Sequence, residues 1–401
     1  MIGESKIFNP QAKIYANADR VLDFLDKKNP APILVEFDPS NTCNHGCYFC
    51  ISSYIHLPES KDLETYNKTV MPRDILMGAC KDFIDMGVRA INWTGGGEPT
   101  INKHLKEAIE YIGTNSDIKM GIFTNGTLID KWDMFDTMVD NMSWVRFSVD
   151  AGTPETYNGI RRAKGNHGWD KMSSNLLKLT EVNNAKGKKI QIGTGFVITP
   201  DTYKEITDFA KYFSQFDIDY CQYKPEVVNR EREEGVQRDL DFWEAEVEPR
   251  LNEAKEILGD RFQINGYKLK DLINDRSLFG RNYKKCLGSQ IQPCVGADGE
   301  VYVCTNHRGY KQYSYGSLHE KSFKEVWSDI QTRESVMNQI ENVECFKNCT
   351  QLCKPHESNK AVWNIHEEYT TLKGEEKDKA KQHYLEDADK IKSEIIHSEF
   401  I

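Results

Sequence analysis

Three cysteines near the start of the chain have the residue type and spacing to hold a metal centre. Cys43, Cys47 and Cys50 form Cys-x3-Cys-x2-Cys in the segment NTCNHGCYFC. Three thiolates on one loop can ligate three irons of a [4Fe-4S] cluster and leave the fourth iron open to an external ligand. The alternative is a zinc site completed by His45 or His56, although zinc sites usually come as two pairs of ligands. The spacing therefore favours an iron–sulfur centre.

A second cysteine group lies in the last third of the chain. Its members are Cys286, Cys294, Cys304, Cys345, Cys349 and Cys353. Cys80, inside a predicted helix, and Cys221, in a predicted strand, complete a total of eleven. Because cytosolic thiols stay reduced and the count is odd, these cysteines indicate ligands or catalysts and not a disulfide framework.

The composition is that of an ordinary globular protein, with 401 residues, 39% of them hydrophobic and 28% charged. This length favours two or three domains. The net charge of −10, with no basic block, argues against a nucleic acid partner. No apolar run approaches the roughly 18 residues of a membrane span, and the N-terminus lacks a signal-peptide pattern. We therefore expect a cytoplasmic protein with no membrane contact.

Short apolar runs alternate with amphipathic segments between residues 33 and 224, which is the pattern of a parallel sheet with crossover helices. Six strands are predicted at residues 33–38, 88–94, 119–125, 142–150, 190–198 and 218–224. Right-handed crossovers would curl them into a barrel whose site lies at the C-terminal strand ends. The sequence thus predicts an α/β fold with a partial (β/α)6 barrel.

The remaining segments differ in composition from the barrel. We predict five segments: an N-terminal extension (1–30), the barrel (31–226), a helical bridge (227–285), a small cysteine-rich domain (286–360) and a charged C-terminal helical tail (361–401). The bridge begins with a charge-dense stretch and continues into a helical pattern. The mostly charged tail is typical of a solvated helix.

The cysteine loop and the strand ends that follow it resemble the radical S-adenosylmethionine (SAM) superfamily, whose motif has this spacing after the first barrel strand. Phe49, before the third cysteine, is similar to the aromatic that packs near adenine in that family. The segment Gly95-Gly96-Gly97-Glu98-Pro99 resembles the family's Gly-Gly-Glu-Pro, which holds the amino group of SAM. Glycines permit close backbone approach, and a carboxylate complements an ammonium.

The same resemblance implies further contacts with SAM at later strand ends. Polar groups for the ribose are implied at Thr124, Asn125, Ser148 and Asp150, and a carboxylate-binding arginine at Arg161 or Arg162. Each of these motifs is weak alone, since Thr-Asn-Gly is also a good turn and Ser-x-Asp a good helix cap. Their order on successive strands makes the combination specific.

The resemblance implies a cofactor set and a mechanism. The open iron of the three-cysteine [4Fe-4S] cluster binds SAM, and a flavodoxin- or ferredoxin-type donor supplies an electron. Cleavage then gives methionine and a 5′-deoxyadenosyl radical, which abstracts a hydrogen atom from the substrate. The cofactor carries the chemistry, while the protein supplies position and excludes water.

Residues 286–353 resemble the SPASM and twitch extensions of this family, which hold auxiliary iron–sulfur clusters. The spacing of Cys286, Gly299 and Cys304 fits the opening of that pattern, whereas the later Cys-x3-Cys-x3-Cys departs from it by having fewer cysteines. We expect at least one auxiliary cluster, which the same resemblance implies to be of the [4Fe-4S] type. Its predicted ligands are Cys286, Cys304 and Cys353 with Cys294, Cys345 or Cys349.

A second auxiliary cluster would require ligands beyond these six cysteines. His307, His356, Cys221 or the substrate would have to contribute, so one cluster is the economical prediction. A zinc site remains the alternative, because paired cysteines also form zinc ribbons. An auxiliary cluster favours oxidation or bond formation at carbon, since such products leave an electron to be removed.

The sixth predicted strand carries the candidate catalytic residues Cys221 and Lys224. Cys221 could return a hydrogen atom to a substrate radical, as in an epimerase, but a free cysteine in a strand is more often a core residue. Lys224 could contact the substrate or accept a proton, and a solvated surface position is an equal alternative.

Three functions are compatible with these motifs. The leading hypothesis is a radical SAM enzyme that oxidises or epimerises a small polar molecule such as a sugar, aminocyclitol or nucleotide-sugar. About forty residues precede the first motif, which is short for a leader-binding domain of peptide-modifying relatives. The alternative in the same family is a peptide or protein side-chain modifying enzyme. The alternative of another class is a non-catalytic zinc or iron–sulfur interaction protein.

Overall fold

A computed structural model describes residues 9–52, 68–163, 167–226, 240–264, 283–343, 353 and 355–401. Ten strands of these residues form one sheet in the order β10-β9-β8-β1-β2-β3-β4-β5-β6-β7. Their bounds are β1 Leu34–Phe37, β2 Ala90–Trp93, β3 Lys119–Thr124, β4 Trp144–Ser148, β5 Gln191–Ile198, β6 Tyr220–Pro225, β7 Phe262–Ile264, β8 Cys294–Val295, β9 Glu300–Tyr302 and β10 Ser314–Ser317.

Helices connect and cover these strands. Their bounds are α1 Pro10–Ala16, α2 Ala18–Leu25, α3 Arg73–Met86, α4 Leu105–Asn115, α5 Phe135–Asn141, α6 Pro154–Arg161, α7 Gly168–Ala185, α8 Ile206–Phe213, α9 Leu240–Phe242, α10 Glu248–Leu258, α11 Phe323–Ser328, α12 Ile330–Val343, α13 His356–Tyr369 and α14 Gly374–Glu394. A π-helical turn joins α9 to α10. In the part of the chain described here, no helix has the length and apolarity needed to cross a membrane.

Strands β1 to β6 are the six predicted ones, and each pairs in parallel with the next. The prediction of a partial α/β barrel is therefore confirmed. Strand β7 adds a seventh parallel strand beside β6, with Cys221 opposite Phe262. The sequence did not indicate β7 because a three-residue strand is too short to show an alternating pattern.

Side chains alternate between the two faces of the barrel strands, as the period of two requires. The helix-facing side chains are apolar and join the main core: Val35, Ile91, Ile122, Val145, Ile192 and Tyr223. The opposite face, which we call the lumen, carries Glu36, Asn92, Arg146 and Gln222. Asn92 Nδ2 donates to Glu36 Oε1 at 2.9 Å, and Arg146 Nη1 donates to Gln222 Oε1. The barrel therefore has a polar, hydrogen-bonded interior.

Helices α1 and α2 and the C-terminal segment close the N-terminal end of the barrel. A second core joins strand residues there to the C-terminal segment, with the rings of Trp144 and Phe400 5.4 Å apart. Asn17 Nδ2 donates to Ser398 O at 2.8 Å, which ties the N-terminal helices to the same segment. Helix α13 packs into this core and runs across the domain boundary predicted at residue 360. The open end of the barrel is thus the C-terminal one.

The cysteine-rich region shares the sheet of the barrel. Strand β8 pairs in parallel with β1, with Cys294 opposite Glu36, and in antiparallel with β9. A buried ion pair reinforces the junction, because Arg308 Nη1 contacts Asp38 Oδ2 at 2.5 Å and both side chains are at most 6% exposed. Asp38 directly follows β1, so the two regions meet at the start of the cysteine loop.

His397 makes the packing beneath the barrel sensitive to pH. Burial lowers the pKa of His397 to about 4, with Lys13 and Lys119 lowering it further and Glu399 raising it. The unfolded chain therefore binds a proton below about pH 6.5 that the folded chain does not bind until about pH 4. As the pH falls through that window, His397 should lower the free energy of unfolding by on the order of 2 kcal/mol. Urea denaturation midpoints at pH 7 and pH 4.5 measure this change.

The variant His397→Gln should lose part of this pH dependence. The matched control is His383→Gln, because His383 is 73% exposed on α14 and should leave the pH profile unchanged. Identical slopes for the wild-type protein and His397→Gln would show that His397 is not held neutral by its burial.

Candidate functional site

The three-cysteine motif lies on the loop that follows β1, at the C-terminal end of the barrel, and its thiols are partly buried. Burial raises the pKa of Cys43 to about 12, with added contributions from Glu98 and from the thiols of Cys47 and Cys50. Burial likewise raises the pKa of Cys47 to about 11. The three sulfurs are close enough to repel one another as thiolates, so a bound cation is required to stabilise the deprotonated set.

The donors on this loop suit an iron–sulfur cluster. The His45 backbone N–H donates to Cys43 Sγ at 3.4 Å, as it would to a thiolate. Both ring nitrogens of His45 and the hydroxyl of Tyr157 are buried without a hydrogen-bond partner, which marks polar space beside the loop. Among the described residues, no three His, Cys, Asp or Glu side chains are grouped around a single metal position. His56, the other zinc ligand considered, lies outside the described residues.

Glycines allow the loop after β2 to lie against the cysteine loop. A Cβ on Gly97 would fall 2.2 Å from the carbonyl oxygen of Thr42, and one on Gly95 would fall 2.9 Å from that of Ser40. The backbone N–H groups of Gly97 and Glu98 donate to these same two carbonyls, at 3.1 and 3.0 Å. Any side chain at Gly97 would separate the loops, so this segment fixes the cysteine loop in addition to the SAM contact that the family resemblance implies.

Glu98 joins the ends of β2 and β3. Its Oε1 accepts hydrogen bonds from the hydroxyls of Thr100 and Thr124, each at 2.6 Å, and its Oε2 accepts one from the Asn125 backbone N–H at 2.7 Å. The side chain is 3% exposed, and burial raises the pKa of Glu98 although these hydrogen bonds oppose the shift. Thr124 and Asn125, both predicted as SAM contacts, are thus positioned by Glu98.

Asn125 in turn holds the cysteine loop. Its Nδ2 donates to Asn44 Oδ1 at 2.8 Å, and Asn44 Nδ2 donates to Thr127 Oγ1 at 2.8 Å. The Thr127 hydroxyl completes the ring by donating to Asn125 Oδ1 at 2.7 Å. Sequence reasoning missed Asn44, since an asparagine beside a cysteine carries no distinctive signal. This closed network fixes the loop residue that follows Cys43.

Asp150 and Arg161 form a buried ion pair at the end of β4. Asp150 has a left-handed φ of 64°, unusual for a residue other than glycine, and its Oδ1 accepts from the Val197 backbone N–H at 2.8 Å. Arg161 Nη1 also approaches Cys47 Sγ at 3.8 Å, and its guanidinium lies 6.0 Å from the centre of the Phe49 ring. In this conformation the pair connects the strand end to the cysteine loop.

The other predicted SAM contacts surround the same opening. Ser148 ends β4 on the lumen side, two residues before Asp150, and is partly accessible. Arg162 has a left-handed φ of 49° and an exposed side chain beside Gly46 of the cysteine loop. Of the two predicted arginines, Arg161 is therefore paired inside the protein, and Arg162 is the exposed one.

Cys221 lies away from this opening. Its side chain is fully buried in the helix-facing core and accepts a hydrogen bond from the Thr194 hydroxyl at 3.3 Å. Tyr223, two residues along on the same face, donates to the Ile206 carbonyl of α8. The structure thus does not bring Cys221 to a position facing a substrate in the barrel, because the alternation of β6 turns it toward the helices. Lys224 has the opposite orientation, on the lumen face at the strand end.

Three of the described auxiliary cysteines, Cys286, Cys294 and Cys304, lie near β8 to β10. Cys294 is fully buried opposite Glu36, and burial raises its pKa well above the usual value, with Cys304 contributing to the shift. Cys286 and Cys304 are both near enough to Tyr315 to raise the pKa of its hydroxyl. Cys353 is 7% exposed at the start of α13. Cys345 and Cys349 lie outside the described residues.

Asn359 on α13 contacts one of these cysteines directly. Its Nδ2 donates to Cys286 Sγ at 3.3 Å, and its Oδ1 accepts from the Gly288 backbone N–H at 2.6 Å. His356, one turn earlier, has its Nδ1 3.0 Å from the Tyr283 hydroxyl. Asn359 is 1% exposed, so its contact with a thiol is internal and well positioned.

Replacing Glu98 by Gln should destabilise the strand ends. Glutamine keeps only one accepting oxygen, so its amide nitrogen takes the acceptor away either from the Asn125 N–H or from the hydroxyls of Thr100 and Thr124. The free energy of unfolding should fall by about 1.5–3 kcal/mol, measured by urea denaturation. The control is Glu107→Gln, which removes an exposed pair with Arg73 and should cost at most about 1 kcal/mol. Equal losses in both variants would contradict the role of Glu98.

Replacing Asn359 by Ala removes the N–H···S contact with Cys286. Hydrogen bonds to cluster sulfurs favour the reduced, more negative cluster. With Cys286 as a predicted ligand of the auxiliary cluster, the reduction potential of that cluster should therefore become more negative. An EPR-monitored redox titration of the reconstituted protein measures the shift. The adjacent Lys360→Ala, which breaks only a surface pair with Glu357, should leave the potential unchanged.

Two family models match the chain, one for each of these regions. The "Radical SAM superfamily" model matches residues 37–212, and the "Iron-sulfur cluster-binding domain" model, SPASM, matches residues 286–354. The first match begins at the last residue of β1 and contains the cysteine loop and the ends of β2 to β5. The second contains the auxiliary cysteines. These domains imply [4Fe-4S] clusters and SAM as cofactors.

Curated relatives match across both regions. A cysteine-type anaerobic sulfatase-maturating enzyme of Clostridium novyi is 25% identical over 77% of this chain and 83% of its own length. An Fe-coproporphyrin III synthase of Methanosarcina barkeri is 24% identical over 82% of this chain and 84% of its own. The mycofactocin maturase MftC of Mycolicibacterium smegmatis is 24% identical over 77% of this chain and 73% of its own.

Solved structures share the fold. SuiB of Streptococcus suis bound to S-adenosylmethionine superposes with a TM-score of 0.56 at 18% identity, covering 83% of this chain and 76% of SuiB. Native anSMEcpe with bound AdoMet gives a TM-score of 0.54 at 18% identity, covering 89% and 99% of the two chains. At this identity the likeness establishes the architecture of the barrel and its extension.

The expectation of a sugar, aminocyclitol or nucleotide-sugar substrate is wrong. It rested on a short N-terminal segment and a loose similarity of the last cysteine run, whereas the sulfatase-maturating enzyme and MftC, both named as maturases, match three quarters of the chain. The two family models, the three-cysteine loop and the parallel barrel agree on one assignment. The chain belongs to the radical SAM superfamily and carries a C-terminal SPASM-type iron–sulfur domain.

Proposed function

We propose that this radical SAM enzyme modifies a side chain of a peptide or protein. The observation that carries the proposal is the match to two maturases, the anaerobic sulfatase-maturating enzyme and MftC, each over 77% of the chain. Each match is too long to be accounted for by the barrel domain alone, so it includes sequence beyond the region that cleaves SAM. A cytoplasmic location and a flavodoxin- or ferredoxin-type electron donor belong to the same proposal.

The cysteine loop holds the first cluster in this proposal, through Cys43, Cys47 and Cys50. When bound, the cluster and SAM supply one-electron cleavage of the sulfonium and removal of a hydrogen atom from the substrate. The chain's own contribution is position. Glu98 and the Asn44–Asn125 network fix the loop against the ends of β2 and β3, and the Asp150–Arg161 pair fixes it against the end of β4.

We assign the remaining SAM contacts to predicted site residues according to whether their side chains are accessible or already bind protein groups. The backbone at Gly96 and Gly97 is proposed to bind the amino group of SAM. Ser148 is proposed to bind a polar group of SAM, and Arg162 is proposed to bind its carboxylate. Phe49 is proposed to pack on the adenine. Arg161, Thr124 and Asn125 act mainly as positioning residues, because their side chains already bind protein groups.

The auxiliary cluster is proposed to use Cys286, Cys294, Cys304 and Cys353, with Cys345 and Cys349 as the alternatives to Cys294. Cys294 adjoins Glu36 at the wall of the lumen. A cluster held by these cysteines would supply one-electron chemistry next to the barrel, such as uptake of the electron left on an oxidised substrate. The shared sheet and the buried Asp38–Arg308 pair fix the cysteine-rich region in position relative to the barrel.

Anaerobic reconstitution followed by SAM turnover tests the proposed chemistry. With dithionite, the wild-type protein should release 5′-deoxyadenosine, and Cys47→Ala should release none above the level without reductant. The matched control is Cys80→Ala, since Cys80 is buried in the core on α3 and should leave the release intact. Release by Cys47→Ala would contradict the assignment of the cluster.

The substrate class is tested with peptides encoded beside the gene. Peptides carrying deuterium on side-chain carbons should transfer it to 5′-deoxyadenosine and change mass. If SAM is cleaved but every such peptide and every encoded target protein is recovered unchanged, without deuterium transfer, the proposal of peptide modification is contradicted.

A further inference from the structure

The cation of Arg161 lies against one thiol of the three-cysteine loop. Its Nη1 donates to Cys47 Sγ at 3.8 Å, and its backbone carbonyl accepts from the Gly46 N–H at 2.9 Å. The Cys47 thiol is also 3.9 Å from that carbonyl oxygen. The contact therefore joins a charged donor to a sulfur that is a predicted iron ligand.

The guanidinium of Arg161 is held in this position by the protein. Its Nε donates to the Val149 carbonyl at 3.1 Å, and its Nη2 pairs with Asp150 Oδ2. Its Cζ lies 6.0 Å from the centre of the Phe49 ring. Both members of the ion pair are buried, so little water screens the contact with Cys47.

The donor at Cys47 differs in charge from the one at the first cysteine of the motif. Cys43 Sγ accepts from the backbone N–H of His45, which is uncharged. Arginine stays protonated in proteins, and a charged donor makes a stronger hydrogen bond than a neutral one. Burial raises the pKa of the Cys47 thiol, and the Arg161 cation opposes that shift. Arg161 therefore favours negative charge on Cys47.

Charge beside a ligand sulfur changes how easily an iron–sulfur cluster is reduced. Reduction adds one negative charge to the cluster, and the potential depends on net charge, solvent exposure and hydrogen bonds to the sulfurs. A cation that donates to Cys47 would thus favour the reduced cluster and raise its potential. In a buried site, where charges are weakly screened, a full charge at this distance has a large effect.

Asp150 opposes this effect because it neutralises the cation. Its Oδ2 pairs with Arg161, and its Oδ1 accepts from the Val197 backbone N–H at 2.8 Å, so the carboxylate is fixed at both oxygens. The residue lies two positions after the end of β4, with a left-handed φ of 64°. The pair therefore presents an N–H donor to Cys47 with little net charge.

We propose that the Asp150–Arg161 pair sets the reduction potential of the SAM-cleaving cluster through the N–H···S contact with Cys47. Arg161 raises the potential, and Asp150 limits the rise so that the cluster remains a strong enough reductant for SAM. The inference rests on the proposed function, which assigns that cluster to Cys43, Cys47 and Cys50. It gives the pair a role beyond positioning the loop.

An EPR-monitored redox titration of the full-length protein, reconstituted anaerobically and without SAM, tests this role. The SAM-sensitive signal, which belongs to this cluster, is the one that changes on later addition of SAM and that Cys47→Ala lacks. Asp150→Asn keeps an acceptor for the Val197 N–H and suits a left-handed backbone, but it leaves the Arg161 charge unbalanced. The ratio of reduced to oxidised cluster at a fixed potential should rise at least tenfold, a shift of about 59 mV to less negative potential.

The double variant Asp150→Asn/Arg161→Gln then removes the cation and leaves no carboxylate unpaired. Relative to Asp150→Asn, its potential should be more negative by at least the same tenfold ratio. This comparison avoids the single variant Arg161→Gln, which would destabilise the fold by leaving a buried carboxylate without its partner. The matched control is Arg162→Gln, because Arg162 is the adjacent, exposed arginine. Its potential without SAM should equal that of the wild type.

The inference is overturned if Asp150→Asn leaves the potential unchanged or makes it more negative, or if the double variant does not reverse the shift. It is also overturned if Arg162→Gln shifts the potential as far as the loss of Arg161 does. Failure of the proposed function looks different. If Cys47→Ala keeps the SAM-sensitive signal, the cluster assignment is wrong and the inference falls with it. If peptides are recovered unmodified, only the substrate class is wrong, and the shifts in potential persist.

Discussion

The buried carboxylate of Glu98 is the interaction on which the arrangement of the site depends. It accepts hydrogen bonds from Thr124 and Asn125 at the end of β3, and its own backbone N–H donates to the Thr42 carbonyl of the cysteine loop. A carboxylate at this depth is tolerated only because its oxygens are satisfied by hydrogen bonds. The same constraint explains Gly97, since no side chain fits between the two loops.

A second set of buried polar groups extends this frame around the barrel. The Asp150–Arg161 pair connects the end of β4 to Cys47, and Asp150 has a left-handed backbone conformation that is strained for a residue other than glycine. Such local strain persists where the surrounding contacts over-determine it, and it is concentrated at functional sites. Preorganisation of this kind means that the cysteine loop is held by polar contacts before any cofactor contributes.

The auxiliary region is an extension of the barrel and not a separate body attached by a linker. Strand β8 continues the sheet from β1, and the Asp38–Arg308 pair lies at the point where the cysteine loop begins. A buried pair of this kind is strongly destabilising when one partner is removed, so the two regions are coupled in stability. The inner wall of the barrel carries Glu36 and Arg146, and Cys294 of β8 lies opposite Glu36.

The sequence by itself determined the chemistry and the order of the elements. The cysteine spacing, the six apolar runs and the glycine-rich turn are each local patterns, and local patterns can be recognised in the sequence alone. Only the tertiary structure decided which groups meet. The face on which Cys221 lies, the choice of Arg161 as a buried partner, the joining of Cys294 to β1 and the contact of Arg146 with Gln222 all depend on register and on contacts between residues far apart in the chain. A one-residue change in register reverses the face of a strand residue, so the side chains that line the lumen could not be read from spacing alone.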